Sequence, residues 1–525
     1  MPKVLIADKL SPAAIDIFRQ RGVEADVKVG LSKAELLDII ADYDGLAVRS
    51  ATKPDADVMA KAEKLKVIGR AGIGVDNIDI KAATARGVVV MNTPYGNAIT
   101  TAEHAIAMMF ALARQIPQAN ASTQASKWEK SKFMGVELTS KTLGVIGCGN
   151  IGSIAAERAL GLKMRVIAFD PFLSSERAVE IGVIKVELDE LLAQADFITL
   201  HTPLTDQTRN ILSKENLAKT KKGVRIINCA RGGLIDEAAL LDALNDGHVA
   251  GAALDVYAEE PAKENPLFGH PNMVCTPHLG ASTKEAQENV ALQVAEQMSD
   301  YLLTGAVSNA LNMPSISAED APRLKPFIAL GERIGAFAGQ VTETGLLEVE
   351  IAYEGDVAAL NTKALTSAIL AAVMRPMLQE SVNVVNAPAV AKERGVQVSE
   401  TTREDGGDYD SAIRLKVVTE RQTRTVSGAL FGGEPRIVEI KGIPMEASFS
   451  TNMLYTTNED RPGYIGALGS LLGEAGCNIA TFNLGRLDEG GDAIALVAVD
   501  EPVSAELLEK VTALPHVKQA KALQF

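Results

Sequence analysis

Three polar residues near the middle of this 525-residue sequence are of the types that move protons and hold carboxylates. Arg231 stands before two glycines, Glu260 before a proline, and His278 after a Thr-Pro pair. Each follows a short apolar run, and open α/β sheets place ligands at the carboxyl ends of their strands. The three side chains are therefore candidates for one shared site.

Together these side chains have the chemistry needed to oxidise an alcohol that lies next to a carboxylate. An imidazole titrates near neutral pH, so His278 suits a base that takes the hydroxyl proton. The charge of Glu260 would raise the pKa of that histidine and fix its tautomer, while the planar guanidinium of Arg231 can hold a carboxylate through two hydrogen bonds. Taken singly, each residue also fits an ordinary loop, turn or solvated surface, and the ordered set is what favours catalysis.

A glycine-rich turn upstream could bind the cofactor for such a reaction. The strand-like run Thr142–Ile146 leads into Gly147-Cys148-Gly149-Asn150-Ile151-Gly152, and a helical pattern follows. Here Gly147 permits a tight turn, Gly149 lets backbone approach a pyrophosphate, and Gly152 lets helix and strand pack closely. Because the amides at a helix N-terminus attract phosphate, the turn predicts a dinucleotide site.

An aspartate downstream indicates which dinucleotide would bind. Asp170 lies 18 residues beyond Gly152 and ends the strand-like run Arg165–Phe169, where a carboxylate can accept the ribose hydroxyls. The same charge would repel a 2′-phosphate, so NAD is favoured over NADP. The other interpretation is that the Asp-Pro pair only ends a strand.

The elements that must position these residues alternate between strand and helix, which is typical of parallel sheets covered on both faces. One such series fills the first ninety residues, and a second runs from Thr142 to about Val274. Helical patterns cover Thr100–Arg114, with Asn97 or Thr100 able to cap it, and Lys284–Leu303. We expect the second of these helices to return to the first domain.

The C-terminal 40% of the chain forms two further units, separated from the first part by a predicted linker at 312–317. The first unit mixes a helical pattern at Ala364–Glu380 with strand-like runs at Leu346–Tyr353, Ile413–Val418 and Arg436–Ile440. The last unit has the order βαββαβ. Its predicted elements are Ser448–Thr456, Gly463–Gly476, Asn478–Leu484, Ala493–Val499, Ser504–Leu514 and Val517–Leu523.

Composition excludes several classes of function. The formal net charge of −15 argues against binding to nucleic acid or to an anionic membrane. The longest apolar run, Ala105–Ala113, is far shorter than the roughly 20 residues of a membrane span. Four scattered cysteines and the lack of a targeting pattern lead us to expect a cytoplasmic protein with no structural metal.

Five motifs resemble those of the D-isomer-specific 2-hydroxyacid dehydrogenases. They are Gly147–Gly152, His201-Thr202-Pro203, Ala230–Gly233, Asp255–Pro261 and Thr276–Thr283. Asn458–Gly463 and Gly476–Ile479 resemble an ACT domain, a small amino-acid-sensing unit, and the segment before them resembles the intervening domain of the long family members.

The resemblance implies four domains of α/β and α+β type. A flavodoxin-like substrate domain would be built from 1–96 and 282–315, and a Rossmann NAD-binding domain from 97–281. An intervening α+β domain would follow at 316–447, and a ferredoxin-like ACT domain at 448–525.

The resemblance also implies site residues. Arg231, Glu260 and His278 would be catalytic, and substrate would contact Arg49, Ser50, Gly72 and Asn97. NAD would contact Gly147, Gly149, Asn150, Ile151, Gly152, Asp170, Thr202, Cys229, Ala230, Asp255, Gly280 and Ile73. Lys127, Lys130 and Lys132 around Trp128 would reach substrate from a neighbouring subunit, although a solvated charge run explains any one of them equally well.

The reaction implied is oxidation of D-3-phosphoglycerate to 3-phosphohydroxypyruvate with NAD, at the start of L-serine synthesis, in a homodimer or homotetramer. Asn458, Asp460 and Asn478 would bind an amino acid effector such as L-serine, or the ACT unit would serve only for dimerisation. Two alternatives stay open: another substrate such as D-lactate, glyoxylate or hydroxypyruvate, and an NAD-sensing protein like the transcriptional corepressors that share this fold.

Overall fold

A computed structural model describes residues 1–317, 319–378 and 382–525. These residues form four β-sheets, which follow one another along the chain. Among them no helix is both long enough and apolar enough to span a bilayer.

The first sheet contains five parallel strands in the order β2-β1-β3-β4-β5, the flavodoxin-like order that the family resemblance implies. Its central strands are apolar and buried because helices cover both faces. The strands are β1 Lys3–Ile6, β2 Glu24–Val27, β3 Gly45–Val48, β4 Val67–Arg70 and β5 Val89–Met91, and the helices are α1 Pro12–Gln20, α2 Lys33–Ile39, α3 Ala56–Lys61 and α4 Ile80–Ala85.

A helix from much later in the chain completes this layer. Helix α12, Lys284–Thr304, packs against α1 and β4. Its Met298 lies so close to β4 that a Cβ at Gly69 would come within 2.2 Å of the Met298 sulfur. The glycine therefore makes room for the returning helix.

The second sheet contains seven parallel strands in the order β12-β11-β10-β9-β6-β7-β8. The strand order reverses between β6 and β9, so a crevice opens there at the carboxyl ends of the strands, where doubly wound sheets bind ligands. The strands are β6 Thr142–Ile146, β7 Arg165–Phe169, β8 Ile184–Lys185, β9 Phe197–Leu200, β10 Val224–Asn228, β11 Val249–Leu254 and β12 Met273–Cys275.

Seven helices accompany this sheet in the described chain. Helix α5 begins at Ala98, two residues before the predicted start at Thr100, and Asn97, one of the two predicted caps, precedes it without making a side-chain capping hydrogen bond. Ser174, Ser213 and Asp236 do cap the helices that follow them. The helices are α5 Ala98–Arg114, α6 Ile116–Gln124, α7 Asn150–Gly161, α8 Ser175–Ile181, α9 Leu188–Gln194, α10 Lys214–Lys219 and α11 Glu237–Asn245.

The third sheet is mixed, with the order β14-β13-β15-β16-β17-β18. Its strands are β13 Leu346–Gly355, β14 Gln397–Arg403, β15 Ser411–Thr419, β16 Thr423–Phe431, β17 Glu434–Ile440 and β18 Ile443–Ser448, and its helices are α13 Asp320–Gln340, α14 Thr362–Leu378 and α15 Ala387–Glu393. Residues 379 and 380, the predicted end of α14, lie outside the described residues.

The fourth sheet is antiparallel, with the order β20-β21-β19-β22, and it confirms the predicted βαββαβ unit. The predicted first strand was placed too early: Ser448 ends β18, and the next strand starts only at Asn452, because the chain crosses between two sheets there. The elements are β19 Asn452–Glu459, α16 Tyr464–Glu474, β20 Ile479–Arg486, β21 Asp492–Val499, α17 Ala505–Thr512 and β22 Val517–Gln524.

The predicted linker at 312–317 is not free. Asn312 accepts a hydrogen bond from the Val90 N–H at 2.9 Å and donates one to the Val88 carbonyl at 2.9 Å. Ile316 is buried and pairs with Val307 through two backbone hydrogen bonds. This segment therefore extends the edge of the first sheet beside β5. Its proline and polar residues predicted a linker and gave no indication of this pairing.

Candidate active site

A cleft of about 1740 Å³ opens between the first and second sheets, at the carboxyl ends of their strands. Most of the predicted site residues line it, and both domains contribute. Those residues are Arg49, Ser50, Gly72, Ile73, Asn97, Asn150, Ile151, Thr202, Cys229, Ala230, Arg231, Glu260, His278 and Gly280.

A histidine–carboxylate pair lies on the wall of this cleft. His278 Nδ1 is 2.6 Å from Glu260 Oε2, and Glu260 Oε1 accepts a hydrogen bond from the Tyr257 N–H at 3.1 Å. The side chain of His278 is about half exposed, at 53%. Because Glu260 engages Nδ1, the Nε2 atom is left to act as a base.

The pair shifts the pKa values of both groups, and that of His278 moves in the direction that the sequence predicts. The hydrogen bond to Glu260 raises the pKa of His278 above its ordinary value, and burial opposes this effect only in part. Burial alone would raise the pKa of Glu260, but the hydrogen bonds from His278 and the Tyr257 N–H outweigh it, so that pKa is lowered. Near neutral pH the carboxylate is therefore charged, and the paired imidazole holds a proton more readily than an unpaired one would.

The loop that carries His278 is held by a buried aspartate. Asp255 accepts hydrogen bonds from Thr276 Oγ1 at 2.6 Å, from the Leu279 N–H at 2.7 Å and from the Gly280 N–H at 2.8 Å. His278 adopts a left-handed backbone conformation with φ of +55°, which is uncommon for a non-glycine residue. The Asp255 carboxylate, predicted to contact NAD, lies beneath the loop rather than among the residues that line the cleft.

Arg231 links the two walls of the cleft. Its Nε donates a hydrogen bond to Asp76 Oδ2 of the first domain at 2.9 Å, and Asn228 Nδ2 donates to the Arg231 carbonyl at 2.8 Å. Gly232 is required next to it, because a Cβ there would lie 1.7 Å from the Tyr257 carbonyl oxygen. The backbone contact between these loops fixes where the guanidinium stands relative to Glu260.

An arginine that sequence reasoning missed lies beside the predicted ones. Arg70 ends β4, lines the cleft and is largely buried, and its Nε has no hydrogen-bond partner among the described residues. Burial and the charges of Arg49 and Arg231 lower its pKa to about 10, so it remains a cation at neutral pH. The sequence feature that could have identified Arg70 as a site residue was its position at the carboxyl end of a strand, shortly before the predicted contacts Gly72 and Ile73.

These arginines make a local basic pocket in an acidic protein. Arg49, Arg70, Arg231 and Lys53 all line the cleft, whereas the whole chain carries a formal charge of −15. The carboxylates of Asp76 and Glu260 also line the cleft, but the four cations outnumber them, and a concave site with an excess of one sign of charge attracts the opposite charge. The cleft therefore suits a small molecule with more than one anionic group.

The glycine-rich turn fits a dinucleotide. A Cβ at Gly147 would lie 2.8 Å from the His201 carbonyl carbon, and one at Gly152 would lie 2.0 Å from the Gly147 carbonyl oxygen. A Cβ at Gly149 would meet nothing within 4 Å. Packing therefore requires glycine at positions 147 and 152, whereas Gly149 leaves open space at the N-terminus of α7, where a pyrophosphate would lie.

Asp170 stands where the ribose carboxylate is expected, at the end of β7. Its Oδ2 accepts a hydrogen bond from the Cys148 N–H at 2.8 Å, and its Oδ1 accepts one from the Phe172 N–H at 2.8 Å. These bonds attach the carboxylate to the glycine-rich turn and leave further lone pairs for hydroxyl donors. The donor set therefore fits NAD, although Asp170 and the three glycines are not among the residues that line the cleft itself.

The remaining predicted residues lie apart from the cleft lining. Lys127, Lys130 and Lys132 stand on an exposed loop, and Lys132 is 3.5 Å from Glu129. Trp128, beside them, is 87% exposed. Within this chain the lysines do not reach the substrate pocket.

The structure does not bring the three predicted effector residues together. Asn458 and Asp460 lie at the carboxyl end of β19, whereas Asn478 precedes β20, which pairs at Ile479 with Val499 at the opposite end of the sheet. Asp460 is hydrogen-bonded to Arg486 and to the Gly490 N–H, and Asn478 to Asp500. Within one chain these residues cannot contact one small ligand.

Known proteins resemble this chain along its length. Family models match at 106–280 (D-isomer specific 2-hydroxyacid dehydrogenase, NAD binding domain), 323–441 (D-3-phosphoglycerate dehydrogenase intervening domain) and 453–516 (ACT domain). D-3-phosphoglycerate dehydrogenases of Synechocystis sp. and Bacillus subtilis are 45% and 44% identical. Both alignments cover 100% of this chain, and they cover 95% and 100% of the relatives.

Solved structures match a little over half of the chain. The TT0316 protein of Thermus thermophilus is 36% identical, with a TM-score of 0.55 over 59% of this chain and 99% of its own. A D-lactate dehydrogenase of Aquifex aeolicus, solved with NAD and lactic acid, is 25% identical, with a TM-score of 0.53 over 59% of this chain and 100% of its own. Each alignment therefore leaves about two fifths of this chain unmatched.

Proposed function

The chain belongs to the D-isomer-specific 2-hydroxyacid dehydrogenase family, in its long D-3-phosphoglycerate dehydrogenase branch, and we propose that Arg231, Glu260 and His278 carry out its reaction. That reaction is the NAD-dependent oxidation of D-3-phosphoglycerate to 3-phosphohydroxypyruvate, which begins the synthesis of L-serine. The observation that carries the assignment is the 2.6 Å contact between His278 and Glu260 on the cleft wall.

His278 is the proton acceptor. Glu260 holds Nδ1, so Nε2 takes the proton of the C2 hydroxyl as the C2–H bond breaks. Bound NAD supplies the acceptor for the hydride. The imidazolium that forms is stabilised by the Glu260 carboxylate, and it loses its proton to solvent through its half-exposed side chain.

Arg231 and the other cations of the cleft hold the substrate. Arg231 would bind the carboxylate and the oxygen at C2, where negative charge develops, through its planar fork. Its Nε donates to Asp76 and its NH1 donates to the Ala230 carbonyl at 2.6 Å, so NH2 and the second hydrogen of NH1 are left for substrate. Arg49, Arg70 and Lys53 line the same cleft on the side of the first domain and are proposed to receive the phosphate.

Glu260→Gln should move the pH dependence of oxidation to lower pH. Oxidation needs neutral His278, so kcat/KM falls as pH drops through the raised pKa of that histidine, which lies above the ordinary value of about 6.5. Removing the carboxylate charge lowers that pKa, and the acid limb of the profile shifts down with it. The reverse reaction, reduction of 3-phosphohydroxypyruvate, needs the imidazolium, so its activity falls as pH rises through the same pKa. In Glu260→Gln this fall should occur at a correspondingly lower pH.

A pH profile of kcat/KM in both directions measures this shift. Glu259→Gln is the matched control, since Glu259 is exposed and adjacent but does not contact His278. An acid limb that stays in place in Glu260→Gln would remove Glu260 from its assigned role.

We propose further that the protein is a homodimer or homotetramer whose ACT domains bind L-serine between two copies. The register separates Asn458 and Asp460 from Asn478 within a chain, so one ligand can contact both groups only if a second chain supplies one of them. Exposed apolar side chains such as Trp128 and Met134, at 87% and 78%, support self-association elsewhere on the surface.

L-Serine should therefore suppress NADH formation by the wild-type protein, and Asp460→Ala and Asn478→Ala should each abolish that response. Mixing the two variants should restore part of it, because a mixed interface contains one intact pair. Inhibition assays with sedimentation analysis test both points. Serine that leaves the wild-type rate unchanged would favour a purely structural ACT domain.

The four cysteines support the expected cytoplasmic location. All are free, and Cys148, Cys229 and Cys477 are buried, as suits a reducing compartment. Cell fractionation tests this proposal, and recovery of the protein outside the cytoplasm would contradict it.

A further inference from the structure

One face of helix α5 lies against the loop that carries the proposed base. The residues of that face are Thr101, His104 and Met108, whose spacing of three and four positions places them on the same side of the helix. A Cβ at Gly280 would lie 3.4 Å from Thr101 Cγ2, and Met108 Sδ is 3.8 Å from Thr276 Oγ1. His104 therefore lies between two points at which the helix contacts the loop.

His104 contacts both partners of a hydrogen bond that anchors this loop. Thr276 Oγ1 donates to Asp255 Oδ1 at 2.6 Å, and His104 Nε2 lies 3.4 Å from that hydroxyl oxygen and 3.3 Å from that carboxylate oxygen. Because Thr276 uses its hydroxyl hydrogen on Asp255, both oxygen atoms are acceptors toward His104. His104 must therefore present a hydrogen on Nε2, which the neutral Nε2–H tautomer and the imidazolium both supply.

The aspartate in this contact is fully buried and depends on donors to stay charged. Burial alone would raise the pKa of Asp255, but the hydrogen bonds from His104, from Thr276 and from the Leu279 N–H outweigh it, so that pKa is lowered. His104 is thus one of the groups that keep the anchor of the loop in its anionic form, in which it accepts hydrogen bonds from the backbone of the loop.

The anchor reaches the proposed base through the backbone. The His278 N–H donates to the Asp255 carbonyl at 2.9 Å, and the Leu279 N–H donates to the Asp255 carboxylate at 2.7 Å. His278 has a φ of +55°, a conformation that persists only where the surrounding structure holds it. A shift of this backbone would therefore disturb the 2.6 Å contact between His278 and Glu260.

We propose that His104 is a positioning residue for the dehydrogenase reaction: its Nε2–H supports the hydrogen bond between Thr276 and Asp255, and so fixes the loop that carries the base. The inference rests on the proposed function, because His104 acts on the reaction through His278. His104 is not among the described residues that line the cleft, so it acts through the loop and not by contact with the substrate. A displacement of about 1 Å in a reacting group can lower a rate about 100-fold.

Two amide variants of the full-length protein test the donor. His104→Gln places its amide nitrogen near the position of Nε2, whereas His104→Asn ends one carbon earlier and cannot reach Thr276. His104→Asn should lower kcat about 10–100-fold and leave KM for the substrate within about twofold, because the loop and not the substrate contacts is changed. His104→Gln should recover most of the loss. Glu103→Gln, at the adjacent exposed position of α5, is the control and should keep wild-type kinetics, and equal kcat in the two His104 variants overturns the proposal.

The same substitution in a His278→Ala background separates this inference from the proposed function. Residues that act as a unit have non-additive effects, so His104→Asn should cause no further loss of kcat once the imidazole of His278 is removed. A loss that persists at full size in that background would show that His104 acts elsewhere, and the inference would be wrong. A His278→Ala protein with the wild-type kcat would instead contradict the proposed function itself.

Discussion

His278→Ala is expected to lower kcat for D-3-phosphoglycerate oxidation by about 10²–10⁴-fold, the usual contribution of a general base, with NAD affinity unchanged. The imidazole is the group in the cleft whose Nδ1 is held by a carboxylate and whose Nε2 can take the hydroxyl proton. Alanine removes the proton acceptor but leaves the glycine-rich turn and Asp170 intact. Initial rates of NADH formation measure kcat, and quenching of protein fluorescence by NAD measures affinity.

His248→Ala is the matched control for this variant. His248 precedes β11 at its amino end, opposite the cleft, and contacts Thr220 at 3.0 Å. Replacing His248 with alanine should leave kcat within about twofold of the wild-type value, since substitutions away from the site have small effects. A His278→Ala protein that turns over at the wild-type rate would remove this histidine from the mechanism.

Arg231→Met is expected to lower kcat/KM by about 10²–10³-fold, the effect of deleting one preorganised donor to a developing charge. Both KM and kcat should change, because the guanidinium binds the carboxylate of the substrate and the C2 oxygen as its charge increases. Arg231→Lys should recover only part of the loss, since an ammonium keeps the charge but not the planar fork. Steady-state kinetics with varied substrate separate the two parameters.

Asp76→Asn distinguishes this role from a purely structural one. It weakens the ion pair that joins Arg231 to the first domain, 2.9 Å in length, and leaves the guanidinium free for substrate. If the ion pair were the important interaction, Asp76→Asn would lose as much activity as Arg231→Met. We expect instead a change of less than tenfold, the scale of a partly exposed pair.

The architecture of the first two domains could be predicted because their strands carry a strong signal. Buried parallel strands are continuous apolar runs, and Thr142–Ile146 and Arg165–Phe169 were predicted with the bounds that the structure shows. The roles of Arg231, Glu260 and His278 were inferred from residue type and order. Their distances were not, because they depend on loops such as the contact of Gly232 with Tyr257.

The intervening domain was harder to predict for physical reasons. Strand β14, Gln397–Arg403, is an edge strand with every residue exposed, so it lacks an alternating apolar pattern. Helix α13 contains Pro326 and three glycines, which disfavour a helix by propensity. Its packing against α14 overrides that preference: a Cβ at Gly339 would lie 2.3 Å from the Val373 carbonyl oxygen.

Burial and pairing of charge also could not be deduced from the sequence. Arg70 and Arg424 look like ordinary strand residues in the sequence, and only the packing around them shows that Arg70 Nε and the three side-chain nitrogens of Arg424 have no hydrogen-bond partner among the described residues. For the effector residues, the motifs predicted more than one chain provides. They predicted a common site for Asn458, Asp460 and Asn478, but the strand register of one chain places Asn478 at the opposite end of the sheet from the other two.

NADH formation by the wild-type protein with D-3-phosphoglycerate, D-lactate and D-glycerate as separate substrates, each with NAD or NADP, tests the central claim most directly. Arg49, Arg70 and Lys53 on the side of the first domain predict a strong preference for the phosphorylated acid, and Asp170 predicts a preference for NAD. Turnover of D-3-phosphoglycerate with NAD, at a kcat/KM well above the other combinations, is the expected result. Equal or faster turnover of D-lactate or D-glycerate would contradict the proposed phosphate site, and equal use of NADP would contradict the role of Asp170.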